Sequence, residues 1–157
     1  MQYIAMALLA LGIAGIDQWT KILVVQNIPL SGHMDAIPGL FHLTNVQNTG
    51  AAWSSFEGMI WLFVLIFALF TAGLIFEILT GKLGLTTFEK WCAVVVYGGG
   101  LGNMIDRLRL GYVVDMIAVD FMDFPVFNVA DCFICCGCIL LMVHLIFFNK
   151  AFWKDTK

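Results

Sequence analysis

Four apolar stretches, roughly 3–25, 59–79, 88–105 and 130–148, constrain this chain more than any other feature. Each approaches the roughly 20 residues a helix needs to cross about 30 Å of hydrocarbon. Backbone N–H and C=O groups have no water partners there, so such segments close their hydrogen bonds internally as helices. Composition agrees: 12% of residues are charged, about half the share of a soluble domain, and the mean hydropathy is +0.93. The expected fold is an all-α membrane protein with four transmembrane helices in one domain, 1–157. The first stretch lacks a basic leader and holds charged residues, so it is expected to stay as a helix rather than be removed. Gly98, Gly99, Gly100 and Gly102 weaken the second half of the third stretch, which is expected to end near residue 105.

Two long connections, 26–58 and 106–129, and a short turn at 80–87 separate the spans. Within the first, Phe41–Val46 alternates partly and suggests a small strand or hairpin. Lys82 and Lys90 flank the short turn and Lys150, Lys154 and Lys157 follow the last span, while the long connections hold only Arg107 and Arg109. Cytoplasmic loops are enriched in Lys and Arg, so both termini are expected inside and both long loops outside. A net charge of −3 without a basic stripe argues against nucleic acid. Cys132, Cys135, Cys136 and Cys138 lie too close together to staple a fold and lack a metal-ligand partner set, so they read as small packing residues. No metal is expected.

Polar residues within or beside apolar spans cost several kcal/mol unless paired or wetted, and they mark sites. Asp17 lies about 21 Å along the first helix, with Lys21 one turn on. The bland alternative for that pair is a couple snorkelling to the interface. Asn103, Asp106 and Arg107 close the third helix at the same level, and Asn128 and Asp131 open the fourth. Asp115 lies between them, and Asn48 precedes the second helix. His33, His42 and His144 are scattered, which leaves carboxylates as the reactive groups. Two carboxylates about 3 Å apart cannot both ionise, so one keeps a proton while the other takes one from water. Asp115 and Asp131 are 16 residues apart and meet only if the chain between them turns back. Asp106, Asp120 and Asp123 are rival partners that spacing does not exclude, although Asp120 and Asp123 also read as a solvated acidic loop.

Five blocks carry a resemblance: Asp17-Gln18-Trp19-Thr20-Lys21, Asn48-Thr49-Gly50-Ala51-Ala52-Trp53, Gly99 through Arg107, Val113-Val114-Asp115 and Phe127-Asn128-Val129-Ala130-Asp131. In order and spacing they resemble the signature blocks of bacterial lipoprotein signal peptidase. The resemblance implies four membrane helices, a small extracytoplasmic strand platform and an aspartate dyad at Asp115 and Asp131. It implies that Asn103, Arg107 and Asn128 hold the dyad and that Asn48 and Gly50 belong to the outer-loop block. Asp17, Lys21 and Asp106 would be structural or site-supporting. Trp53 and Met116 stand where many relatives have Phe. The implied reaction is cleavage of a prolipoprotein just before its diacylglyceryl-modified cysteine, by a monomer in the bacterial inner membrane, with membrane lipid around it and no cofactor. A small transporter or a membrane scaffold is the alternative. The first should line a path across the membrane with polar groups, yet the inner halves of the spans are apolar apart from Glu77. A scaffold would not need acids and amides from separated segments. A presenilin-like protease should show Gly-x-Gly-Asp, where this chain has Gly100-Leu101-Gly102-Asn103.

Overall fold

The computed structural model describes residues 1–51 and 55–149. Its elements run α1 (Gln2–Asn27), β1 (His33–Ile37), β2 (Phe41–Asn48), α2 (Ile60–Thr80), α3 (Thr87–Leu110), β3 (Val113–Val119) and α4 (Val129–Phe147). Trp53, Lys150, Lys154 and Lys157 lie outside the described residues.

α3 is the axis of the bundle, and its glycines explain how. A Cβ on Gly98 would stand 3.0 Å from Ile13 Cβ of α1, one on Gly99 2.5 Å from the Ala130 carbonyl oxygen of α4, and one on Gly100 3.1 Å from the Phe67 ring of α2. The glycine run is thus where α3 meets all three other helices at close range, the use expected of small residues between membrane helices. It does not shorten the helix. α3 starts at a capping box between Thr86 and Glu89 and ends five residues later than expected, at Leu110, where Gly111 turns left-handed with φ 83°.

Among the described residues α1, α2 and α4 are long and apolar enough to cross a membrane. α3 falls short of that composition because it carries Glu89, Lys90, Asp106, Arg107 and Arg109. Enclosure is the reason this is tolerable: a helix surrounded by others need not present an apolar surface of its own, provided its polar groups find partners. They do. Among the described residues no buried side-chain nitrogen or oxygen lacks a hydrogen bond.

The three strands form one antiparallel sheet in the order β1-β2-β3, with Val46 opposite Asp115 and Asn48 opposite Val113. The expected strand at 41–46 is β2. β3 corrects the reading of 106–129 as loop: Asp115 sits on a strand, not in a connection. Burial explains why the period-2 signal was missing, since Val113 to Met116 are all buried and read as a continuous run rather than an alternation. Val24 of α1 and Ile28, which caps that helix, pack on Met116, which fastens the sheet to one end of the bundle. Met116 is 3% exposed and fills that seam.

Two other expectations change. Cys132, Cys135, Cys136 and Cys138 are exposed on α4, and Cys92 alone among the described cysteines is buried. They do not fill a core, because α4 packs one face on α3 and buries only Ala130 and Gly137. At the end away from the sheet, polar groups are more numerous than the sequence suggested. Glu77 accepts from Leu83 N (2.7 Å) and Leu85 N (3.2 Å) and pairs with Lys90 at 3.1 Å. Glu89 accepts from Asn149 Nδ2 at 2.7 Å and lies 2.8 Å from His144 Nδ1. These contacts tie the α2–α3 turn and the end of α4 to the start of α3.

Candidate active site

Asp131 is the third residue of α4, and Asn128 is its N-cap. The two form a reciprocal capping box: Asp131 N donates to Asn128 Oδ1 (3.0 Å) and Asn128 N donates to Asp131 Oδ2 (3.1 Å). A capping box normally carries Glu or Gln at that position; the shorter Asp leaves Oδ1 turned away from the turn. That oxygen accepts from Asn103 Nδ2 of α3 at 2.8 Å. The helix start also places the carboxylate where the dipole favours negative charge.

Asp115 enters from β3. Its Oδ1 accepts from Asn128 Nδ2 (2.7 Å) and its Oδ2 from Asn48 Nδ2 of β2 (2.8 Å). Asn128 therefore donates to both aspartates, one through its side chain and one through its backbone. Burial pushes the Asp115 carboxyl up to about 6, the Asp131 charge adds to the rise, and the bonds from Asn48 and Asn128 oppose it. Both aspartates line one cavity of about 550 Å³, together with Asn48, Asn103, Arg107 and Phe124 to Phe127. Its lining is largely apolar, and α4 contributes Asp131, Cys132, Cys135 and Cys136 to it. A smaller cleft of about 250 Å³, lined by Glu57 and Asp123 among others, shares Asp115 with it.

A buried charge cluster lies behind the pair. Lys21 Nζ is 2.8 Å from Asp17 Oδ2, 2.9 Å from Asp106 Oδ2 and 2.9 Å from Asn103 Oδ1, with all three charged side chains 3% exposed or less. The snorkelling alternative for Asp17 and Lys21 is thereby replaced by an inward-facing cluster. It works as a set of clamps. Asp17 Oδ1 accepts from Ala130 N (3.0 Å) and so holds the first turn of α4, while Asp106 Oδ2 accepts from Val114 N (3.1 Å) and holds β3 next to Asp115. Asn103 Oδ1 takes both Lys21 and Asn128 Nδ2 (3.0 Å), which leaves only its amide nitrogen to face Asp131. Arg107 donates to the Gly50 carbonyl at 2.8 Å and stacks over Phe63 at 4.2 Å, while Gly50 N donates to Asn48 Oδ1 at 2.9 Å.

The ten residues named from the sequence as catalytic or supporting all fall in this assembly: Asp17, Lys21, Asn48, Gly50, Asn103, Asp106, Arg107, Asp115, Asn128 and Asp131. The rivals separate. Asp106 is occupied by Lys21, and Asp120, just past the end of β3, lies 2.6 Å from His42 of β2, so it is paired rather than simply solvated. Two contributors were missed. Gln18 donates to Asp106 Oδ1 at 2.7 Å and to the Gly102 carbonyl at 3.1 Å, and an amide beside an intramembrane ion pair was its available signal. Phe63 had none, since its position under Arg107 depends on how α2 leans. Among the described residues no cluster of His, Cys, Asp and Glu has the arrangement of a metal site.

The chain is similar to known proteins along most of its length. A lipoprotein signal peptidase of Enterococcus faecalis is 43% identical over 144 residues, covering 88% of this chain and 86% of that one. One from Streptococcus thermophilus is 39% identical over 160 residues, covering 99% and 96%. A bacterial membrane enzyme determined by the in meso method at 2.3 Å superposes with a TM-score of 0.83 at 27% identity, covering 98% of this chain and 92% of that one. A second, at 1.9 Å, gives 0.79 at 29% identity, covering 92% and 94%. The family model of signal peptidase II matches residues 9–147, and the chain belongs to that family.

Proposed function

We propose that this signal peptidase II is an aspartic endopeptidase with Asp115 and Asp131 as its catalytic pair. As a member of the family it is a membrane protease that processes prolipoproteins. The observation that carries the aspartic reading is Asn128, which bonds both carboxylates and brings a strand residue and a helix residue to one cavity. Their environments differ. Asp115 is 3% exposed and is pushed toward about 6, whereas Asp131 is only partly buried and sits in the first turn of a helix, where the dipole favours its charge. Asp115 thus carries a proton, donates it to the scissile carbonyl oxygen as water adds, and takes it back when that carbonyl re-forms. Asp131 accepts a proton from the attacking water and returns it to the leaving nitrogen as the C–N bond breaks.

The bond cut is the one immediately before a diacylglyceryl-modified cysteine. The largely apolar lining of the cavity suits alkyl chains, and burying them would hold the peptide bond at the pair, so orientation supplies part of the rate. In this reading α3 crosses the membrane together with α1, α2 and α4. Both termini are cytoplasmic, the sheet lies at the outer face of the bacterial inner membrane, and the monomer in membrane lipid is the working unit without a cofactor. Asp115→Asn and Asp131→Asn should each abolish cleavage of a purified diacylglyceryl-modified precursor while the protein still folds. Turnover retained by both variants would end the assignment. An unmodified precursor should be cut poorly; equal cleavage would remove the role given to the lipid anchor.

A further inference from the structure

The catalytic cavity has an unusual wall. Cys132, Cys135 and Cys136 all line it, together with Asp115 and Asp131, and all three are free and exposed. Positions i, i+3 and i+4 fall on one face of a helix, so α4 presents a thiol stripe to the cavity that begins directly after Asp131. Cys138 is exposed too, but it does not line the cavity, and Cys92 is buried. These three thiols take no part in the hydrogen bonding that holds the aspartates.

We propose that Cys132, Cys135 and Cys136 form a covalent modification site for apolar, alkyl-bearing sulfur electrophiles, and that occupying it closes the substrate groove. The inference rests on the reading of Asp115 and Asp131 as catalytic. A thiolate is the attacking species. With an alkyl methanethiosulfonate, the cysteine sulfur attacks the sulfenyl sulfur, an S–S bond forms, methanesulfinate leaves with the electron pair, and the thiol proton passes to solvent. No external oxidant is involved, and a dithiol reductant reverses the step by exchange. An alkyl tail partitions into hydrocarbon with every added methylene, so a long-chain reagent concentrates where the groove opens, and its tail then lies where the substrate's alkyl chains would lie. A methyl reagent adds little bulk and should interfere much less.

The test compares methyl and dodecyl methanethiosulfonate on the detergent-purified full chain, with each preparation measured before reagent, after reagent and after dithiothreitol. Intact and peptide mass spectrometry assigns the adducts. Wild type treated with the dodecyl reagent should lose turnover of the lipid-modified precursor by about tenfold or more, equivalent to about 1.4 kcal/mol in the barrier, and regain it on reduction. The Cys132→Ala/Cys135→Ala/Cys136→Ala variant should still be labelled at Cys138 and keep its own starting turnover. Saturating precursor should slow adduct formation at Cys132 without slowing it at Cys138. Adducts on Cys132, Cys135 or Cys136 with full turnover would overturn the proposal if Asp115→Asn and Asp131→Asn are inactive. Equal loss in the triple variant would overturn it as well. Turnover retained by the two aspartate variants would instead sink the catalytic reading, whatever the reagents do.

Discussion

Replacing Lys21 with Met isolates what the buried cluster contributes. The substitution keeps the length and most of the volume of the side chain but removes the ammonium that sits 2.8 Å from Asp17, 2.9 Å from Asp106 and 2.9 Å from the Asn103 amide oxygen. Two carboxylates, 0% and 3% exposed, are then left facing one another without a cation. Breaking a buried ion pair by removing one partner costs about 3–5 kcal/mol, against a total stability of about 5–15 kcal/mol. For a chain of this size each kcal/mol lowers Tm by about 2–4 °C, so the drop should be roughly 6–20 °C. Thermal unfolding of the detergent-solubilised protein, followed by intrinsic fluorescence, measures it. The companion variant Lys21→Met/Asp17→Asn/Asp106→Asn removes the stranded charges together with the cation. It should recover a substantial part of the loss, because amides can still accept from Ala130 N and Val114 N. A Tm for Lys21→Met within about 2 °C of wild type would refute the argument. So would a triple variant melting no higher than the single one, since the cost would then not be electrostatic.

The remaining predictions concern packing, capping and protons. Gly99→Ala places a Cβ 2.5 Å from the Ala130 carbonyl oxygen and should cost about 1–3 kcal/mol through overpacking. Gly12→Ala, on α1 with nothing within 4 Å, should instead be neutral or stabilising by up to about 1 kcal/mol in the same unfolding assay. Asn128→Ala removes the α4 cap and should lower stability by about 0.5–2 kcal/mol; turnover of the remaining folded protein should fall tenfold or more, about 1.4 kcal/mol, because Asp115 loses its 2.7 Å donor. Asp115 is raised from 3.8 to about 6 by folding, so the native state binds the proton more tightly than the unfolded chain. Its contribution to stability is therefore full below about pH 4 and is lost as pH rises through 6, a change of about 3 kcal/mol over that window. Asp115→Asn should flatten this slope and melt higher than wild type at pH 7. Wild-type kcat/KM should likewise show an alkaline limb near pH 6, and a profile flat from pH 5 to 8 would contradict the proton-donor role of Asp115.

Some of this protein was legible one residue at a time. Membrane-length apolar runs mark helices because the hydrocarbon penalty acts locally on every backbone group. The intramembrane Asp17 and Lys21, and the acids and amides at the ends of α3 and α4, marked one level of the bundle because depth along a helix follows from counting residues. Family blocks singled out Asp115 and Asp131 from five candidate acids, which spacing could not do. Other features had no local signature. β3 carries Asp115, yet its buried residues do not alternate, so a strand enclosed on both faces read as loop. The thiols of α4 read as core because cysteines are usually buried, whereas their exposure depends on which face α4 turns to α3. The glycine run looked like a weakness in α3 until three helices were seen to close on it. Most of all, Asn128 reaches both aspartates only because Asp17 and Asp106 hold α4 and β3 at the same height. Those bonds join residues as much as 113 positions apart, and a contact between distant segments is specified by packing geometry, not by any stretch of sequence read alone.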